Sequence, residues 1–115
     1  MITLYHNPRC SKSRQALELL KARGETPVVV HYLETPPDAD TLKSLLRALG
    51  LPARKLLRTG EVEYRELGLD DPALGDDALV AAMAAHPRLI ERPIVVSGQR
   101  AVIGRPPETV LELFK

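Results

Sequence analysis

A strand, a helix and a second strand follow one another within the first 33 residues, and that order constrains the fold more than any other feature. Residues 1–5 are a short apolar run that Asn7-Pro8 interrupts. A helical pattern then spans residues 11–23, with Ala16, Leu17, Leu19 and Leu20 mainly on one side and Gly24 as its stop. Val28-Val29-Val30 is β-branched and apolar and reads as a strand extending toward Leu33. A strand that returns after a helix in so short a span makes a βαβ unit, and its strands are parallel.

The middle of the chain reads as helical. Pro36-Pro37-Asp38 opens a helix in which Leu42, Leu45, Leu46 and Leu49 recur at i, i+3, i+4 and i+7, and Gly50 closes it. A short helix over residues 53–57 follows, then helical turns and loop over 61–75, where Gly68, Pro72 and Gly75 are breakers. Asp76 or Asp77 caps a helix running to about Ala85. After Pro93 comes a hairpin, residues 94–97 and 99–103 with Gly98 in the turn, and a last helix starts at Pro106-Pro107. The reading is one α/β domain over residues 1–115: a central mixed four-stranded sheet, βαβ then ββα, with an inserted helical region.

Composition removes several classes of function. With 16 basic against 15 acidic residues, the chain lacks the cationic excess of a general nucleic-acid binder. Aromatics at 3% leave no stacking platform for single strands. No apolar run approaches the roughly 20 residues that span a bilayer, and no signal-peptide pattern opens the chain. One cysteine cannot make a disulfide framework, which suits a reducing, cytoplasmic setting. No phosphate loop or dinucleotide fingerprint is present, and Cys10, His6, His31 and His86 have no metal-ligand spacing. No bound cofactor and no metal are expected.

The chemistry gathers at Tyr5-His6-Asn7-Pro8-Arg9-Cys10-Ser11-Lys12-Ser13-Arg14. Lone cysteines are commonly small buried hydrophobes, but this one sits in a polar, cationic loop at a helix start. Unpaired helix N–H groups and nearby positive charge favour the thiolate, which is the nucleophile. A tyrosine-phosphatase loop needs arginine six positions on, where Ala16 stands. A thioredoxin dithiol needs a second cysteine where Ser13 stands. What remains is a monothiol whose disulfide partner must come from another molecule. Ser13 can either donate to the thiolate or cap the helix. His6 can lower the thiol pKa as imidazolium or orient the loop as neutral imidazole. His31 and His86 read as structural.

Three arginines lie beside prolines or turns: Arg58 before Thr59-Gly60, Arg92 before Pro93, and Arg105 between Gly104 and Pro106. Any one of them alone reads as solvated surface charge. Arg92-Pro93 is the natural place for a cis bond, at the opening of the third strand. Guanidinium forks suit tetrahedral oxyanions through paired hydrogen bonds.

The decapeptide around Cys10, with Tyr32-Leu33-Glu34-Thr35-Pro36-Pro37, Leu56-Leu57-Arg58, Arg92-Pro93-Ile94-Val95-Val96 and Gly104-Arg105-Pro106, resembles the glutaredoxin-coupled arsenate reductase family, in order and over essentially the whole chain. The resemblance implies a thioredoxin-like fold with a helical insertion and a role in arsenic detoxification. It implies that Cys10 attacks arsenate, that Arg58, Arg92 and Arg105 bind the oxyanion, and that His6 and Ser13, with Asn7 and Arg14 in the loop, support the thiol. Glutathione enters as co-substrate and glutaredoxin as partner; a cytoplasmic monomer contacting neither nucleic acid nor membrane is expected. The chain departs from the better-known members in two ways. It ends at Lys115, as a short subgroup, and Ser11-Lys12 replaces a smaller Gly-Thr pair, placing Lys12 near the anion.

Two other readings stay open. One is a redox-sensing regulatory binding module of the same superfamily, whose usual Cys-x-x-Cys switch Ser13 breaks. The other is a monothiol glutathione-dependent disulfide oxidoreductase, which needs the cysteine and a cis-proline but no arginine triad.

Overall fold

β1 (Ile2–Tyr5) alternates buried and half-buried residues, so Ile2 and Leu4 share one face. α1 (Ser11–Ala22) buries Ser13, Ala16 and Leu20, and β2 (Val28–Val30) returns parallel to β1, with Leu4 opposite Val29. The computed structural model describes all 115 residues, Met1–Lys115, in two compact units: Met1–Thr35 with Arg92–Lys115, and Pro36–Glu91.

In the first unit β3 (Ile94–Ser97) runs antiparallel to β1, and β4 (Arg100–Ile103) antiparallel to β3, giving the order β2-β1-β3-β4. Gly98 turns the hairpin at φ 61°, a left-handed conformation that a Cβ disfavours. A C-terminal 3-10 helix, Pro107–Phe114, packs against α1 and β4. Ile2, Leu4, Ala16, Leu20, Val95, Val110 and Leu113 form the core between them. Each large side chain fully buried there stabilises by about 1.5–3 kcal/mol. Arg23 lies over the Phe114 ring, 4.2 Å from its centroid, and ties the end of α1 to the last helix.

The second unit is helical: α2 (Ala39–Leu49), α3 (Ala53–Leu56), α4 (Val62–Glu66), α5 (Asp76–Ala85) and a 3-10 turn, Pro87–Leu89. Asp38 caps α2, accepting from the Thr41 amide at 2.8 Å. α5 packs against α2, α3 and the 3-10 turn, and Leu42, Leu46, Leu56, Leu79, Val80, Met83 and Leu89 are buried. No helix is long and apolar enough to cross a membrane.

This is the expected α/β, thioredoxin-like arrangement of four strands, with a helical segment inserted between β2 and β3. Three local readings are corrected. β2 stops at Val30 because the Glu34 and Thr35 amides both donate to the His31 carbonyl, at 3.0 and 2.9 Å, and turn the chain. Gly75, not an aspartate, is the cap of α5; Asp76 and Asp77 lie in its first turn, where they suit the helix dipole. The last helix is 3-10 throughout.

Gly104 is buried and lies against the residue that opens β3. A Cβ there would stand 2.8 Å from Pro93 Cγ and 3.1 Å from Val110 Cγ1. Gly104→Ala is therefore expected to destabilise the protein by about 1–3 kcal/mol, read as a lower denaturant midpoint at unchanged slope.

Candidate active site

A pinned turn carries Cys10 from β1 to α1. The His6 amide donates to the Val30 carbonyl at 2.8 Å, which anchors the end of the strand. Asn7 then organises the turn: its carbonyl accepts from the Cys10 amide at 3.0 Å, and its Oδ1 accepts from the Arg9 amide at 3.0 Å. A short amide side chain bonding the backbone two residues on is the reason asparagine suits this place. Arg14 Nη1 donates to the Pro8 carbonyl at 2.9 Å, so this arginine braces the loop from the helix side.

Cys10 is the N-cap residue of α1, in extended conformation, and α1 has no acid in its first turn. The positive end of the helix dipole is thus left uncompensated at the half-buried thiol. Its sulfur closes no capping bond of standard geometry. Burial by itself raises the thiol pKa; the Ser13 amide, the Arg92 side chain, the Lys12 amide and the Arg92 charge lower it by more. The net result is a thiol that ionises below its ordinary value.

His6 and Ser13 are buried behind the loop. Ser13 Oγ lies 2.6 Å from His6 Nδ1 and accepts from the Asn7 amide at 3.1 Å. The hydroxyl is therefore held by the loop, and the Ser13 amide is what acts on the sulfur. Neither use of Ser13 read from the sequence, hydroxyl to thiolate or hydroxyl cap, matches this geometry. Burial lowers the His6 pKa, and His31, Arg14 and Lys21 add to the shift. The shift favours the neutral imidazole. His31, read as structural, stacks obliquely on His6 with ring centroids 5.9 Å apart. The two histidines line a cleft of about 240 Å³ with Asn7, Pro8, Arg9, Leu33 and Glu34. Spacing does not single out His31, because β2 brings it alongside His6 only through tertiary pairing.

Arg92 and Arg105 belong to the same unit as Cys10. The Arg92 guanidinium bears on the sulfur, and its Nε is buried with no hydrogen-bond partner. An orphaned buried donor costs about 1–3 kcal/mol unless a ligand takes it. Arg105 Nη1 donates to the Arg92 carbonyl at 3.1 Å, which places the two arginines side by side. The bonds Arg92–Pro93 and Arg105–Pro106 are both cis. Arg58 lies in the helical unit, where Nη1 donates to Glu91 Oε1 at 2.8 Å and Nε stands 3.5 Å from Glu61 Oε2. Those two carboxylates were not visible in the sequence, because neither stands at a motif position. No group of three or more His, Cys, Asp or Glu side chains converges to hold a metal ion. A thiol that ionises below its ordinary value, with the Arg92 guanidinium acting on it and the Arg105 side chain on the Arg92 carbonyl, gathers positive charge around a nucleophilic sulfur.

Comparison with known proteins agrees with the geometry. Residues 5–113 match the model of the ArsC family. The chain is 57% identical over 113 residues to the uncharacterized protein YfgD of Escherichia coli K12, covering 97% of this chain and 95% of that one. It is 53% identical over 110 residues to an arsenate reductase of Neisseria meningitidis, covering 95% and 94%. The solved structure of an arsenate reductase from Vibrio cholerae superposes with a TM-score of 0.95 at 55% identity, covering 96% of this chain and 95% of that one.

Proposed function

The chain belongs to the ArsC family, and from that premise we propose that it is an arsenate reductase, an oxidoreductase that converts As(V) to As(III) through Cys10. The observation that carries the reading is the Arg92 guanidinium acting on a depressed thiol while its buried Nε lacks a partner. That arrangement favours both a thiolate and an oxyanion in one place. Relatives named arsenate reductases support arsenate as the oxyanion.

The steps follow from the electrons. The Cys10 thiolate attacks arsenic, an S–As bond forms, and an arsenate oxygen leaves as water after protonation; arsenic is still As(V). Glutathione then attacks the adduct. The S–As bond breaks with its electron pair remaining on arsenic, which leaves as arsenite, and a Cys10–glutathione disulfide forms. Glutaredoxin removes the glutathionyl group and restores the thiol. With one cysteine in the chain, an external thiol is required by stoichiometry. At about 4 Å and an effective dielectric near 20, two like unit charges repel by about 4 kcal/mol, close to a thousandfold in rate. Arg92 and Arg105 offset that repulsion. Arg58 joins them on the strength of its motif, Leu56-Leu57-Arg58. His6, Ser13, Asn7 and Arg14 hold the thiol loop still, and a reducing cytoplasm keeps the thiol ready.

The test is a coupled assay with arsenate, glutathione, glutaredoxin and a glutathione-reducing system. Arsenite formation is expected only with glutathione and glutaredoxin together. Turnover with neither would overturn the external-thiol chemistry. Exchange of mixed disulfides without arsenate reduction would favour the monothiol disulfide oxidoreductase, a reading that the carboxylate partners of Arg58 support.

A further inference from the structure

Substitution at a sulfur is in line: the attacking thiolate and the departing atom stand on opposite sides of the sulfur they exchange. In the reaction above arsenic leaves Cys10 as the external thiol arrives. One flank of the thiol loop must therefore hold the oxyanion, and the other must admit the thiol. The sheet supplies two such flanks. β1 lies between β2 and β3. Its last residue, Tyr5, is opposite Val30 at the end of β2 and opposite Ile94 at the start of β3, and Ile94 in turn is opposite Ile103 at the end of β4. The turn after β2, the thiol loop, Arg92 and Arg105 thus leave one edge of the sheet in that order. The two arginines belong to the β3–β4 flank, and Arg92 acts on the sulfur. The cleft of about 240 Å³ belongs to the β2 flank.

The lining of that cleft does not suit a di-anion. Its formal charges, Arg9 and Glu34, are of opposite sign, and between them lie Leu33, 39% exposed, and the His6–His31 ring pair. Both charged residues stand on fixed backbone. The Arg9 amide donates to Asn7 Oδ1 at 3.0 Å and the Glu34 amide to the His31 carbonyl at 3.0 Å. That carbonyl also accepts from the Thr35 amide and from Thr35 Oγ1, at 2.9 and 3.1 Å. Arg9 immediately precedes Cys10, so the lining reaches the neighbour of the reacting residue.

We propose that this cleft seats the external thiol, a zwitterionic thiol peptide of the glutathione class, with a carboxylate on Arg9, its ammonium on Glu34 and its sulfur turned to Cys10 from the side away from Arg92. The inference rests on the reading above that an external thiol resolves the Cys10 adduct. The step balances. The peptide thiol gives its proton to water, and its sulfur forms a bond to the Cys10 sulfur. The S–As bond breaks toward arsenic, which gains the electron pair and passes from As(V) to As(III) while the two sulfurs become a disulfide. The cleft is smaller than the roughly 300–1,000 Å³ that encloses a drug-sized ligand. It therefore holds part of a tripeptide and leaves the rest in water, where glutaredoxin can reach the glutathionyl group it removes.

The experiment has a binding arm and a kinetic arm. The isotope-labelled parent chain is titrated with S-methylglutathione, whose thioether cannot attack Cys10, and followed by nuclear magnetic resonance. The amides of Arg9, Leu33 and Glu34 are expected to shift saturably, and those of Arg92 and Arg105 to shift little. In the coupled assay Arg9→Ala and Glu34→Ala, both at exposed positions, should each raise the glutathione KM about threefold to tenfold and leave the arsenate KM in place. That range lies between an exposed ion pair and a hydrogen bond to a charged group. In single-turnover reduction driven by mercaptoethanol, which carries no charge to seat, the same variants should match the parent chain. Shifts confined to the Arg92–Arg105 flank, no saturable shift at millimolar S-methylglutathione, an unchanged glutathione KM in both variants, or equal losses with both thiols would each overturn the cleft and leave arsenate reduction standing. A parent chain that reduces no arsenate with glutathione and glutaredoxin overturns the proposed function instead, and the S-methylglutathione titration still reads the cleft.

Discussion

Cys10→Ser is expected to abolish arsenate reduction outright while leaving the fold intact. The loss differs in kind from that caused by a weakened binding group. A serine oxygen is not ionised near neutral pH and is the poorer nucleophile. More decisively, it cannot supply one half of the disulfide that carries away the oxidising equivalents of arsenate. Rates should therefore fall by at least about 10³-fold, to the level without enzyme, as when other catalytic nucleophiles are removed. Serine is a favoured N-cap residue, and Cys10 is the N-cap of α1. The thermal midpoint of Cys10→Ser should thus equal or exceed that of the parent chain. Coupled turnover and thermal unfolding on the same preparation check both halves. Residual turnover above a few per cent in a folded Cys10→Ser protein would mean that the sulfur is not the reacting atom.

How much of this was legible in the chain depended on the range of the interaction involved. The β-α-β order, the caps at Asp38 and Gly50 and the hairpin around Gly98 come from neighbours a few residues apart, so local chemistry sufficed to find them. Leu33 continues an apolar run, so the sequence pattern extends β2 past Val30; nothing local announces that the His31 carbonyl accepts two amides and turns the chain. Side-chain caps are commoner than glycine, so local preference favours an aspartate as the cap of α5, yet Gly75 takes that place and the two acids serve the dipole from inside the first turn. At the site, the sulfur, its helix and Arg92 could be read from motifs. The partners of Ser13 could not, since its hydroxyl bonds residues six and seven positions earlier only after the loop folds back. His31 and Glu91 were hidden for the same reason. One reaches His6 through strand pairing, and the other meets Arg58 from 33 positions away.

Arg92→Ala is the variant in which geometry, charge and pH can all be read at once. In the parent chain the thiol is raised by burial and lowered by the Ser13 amide, the Arg92 side chain, the Lys12 amide and the Arg92 charge. Removing the guanidinium deletes two of the lowering influences and leaves the raising one, so the pKa moves up. The sign for activity follows. The thiolate is the active form, so the rate rises with pH through the thiol pKa, and a depressed pKa keeps the enzyme active to lower pH. Arg92→Ala should shift the ascending limb of the pH–rate profile, and the thiolate ultraviolet titration with it, toward higher pH. The same deletion removes a guanidinium that acts on the sulfur and whose buried Nε has no partner. That second loss persists even at a pH where the thiol is fully ionised. On that plateau the arsenate rate should still be reduced about 10²- to 10³-fold, the magnitude found when a preorganised anion-stabilising donor is lost. Arg92→Lys should recover part of the pKa depression, through its charge, but little of the plateau rate, because an ammonium does not reproduce the guanidinium fork. A plateau rate unchanged in Arg92→Ala would show that this guanidinium serves the thiol alone and that the oxyanion is held elsewhere.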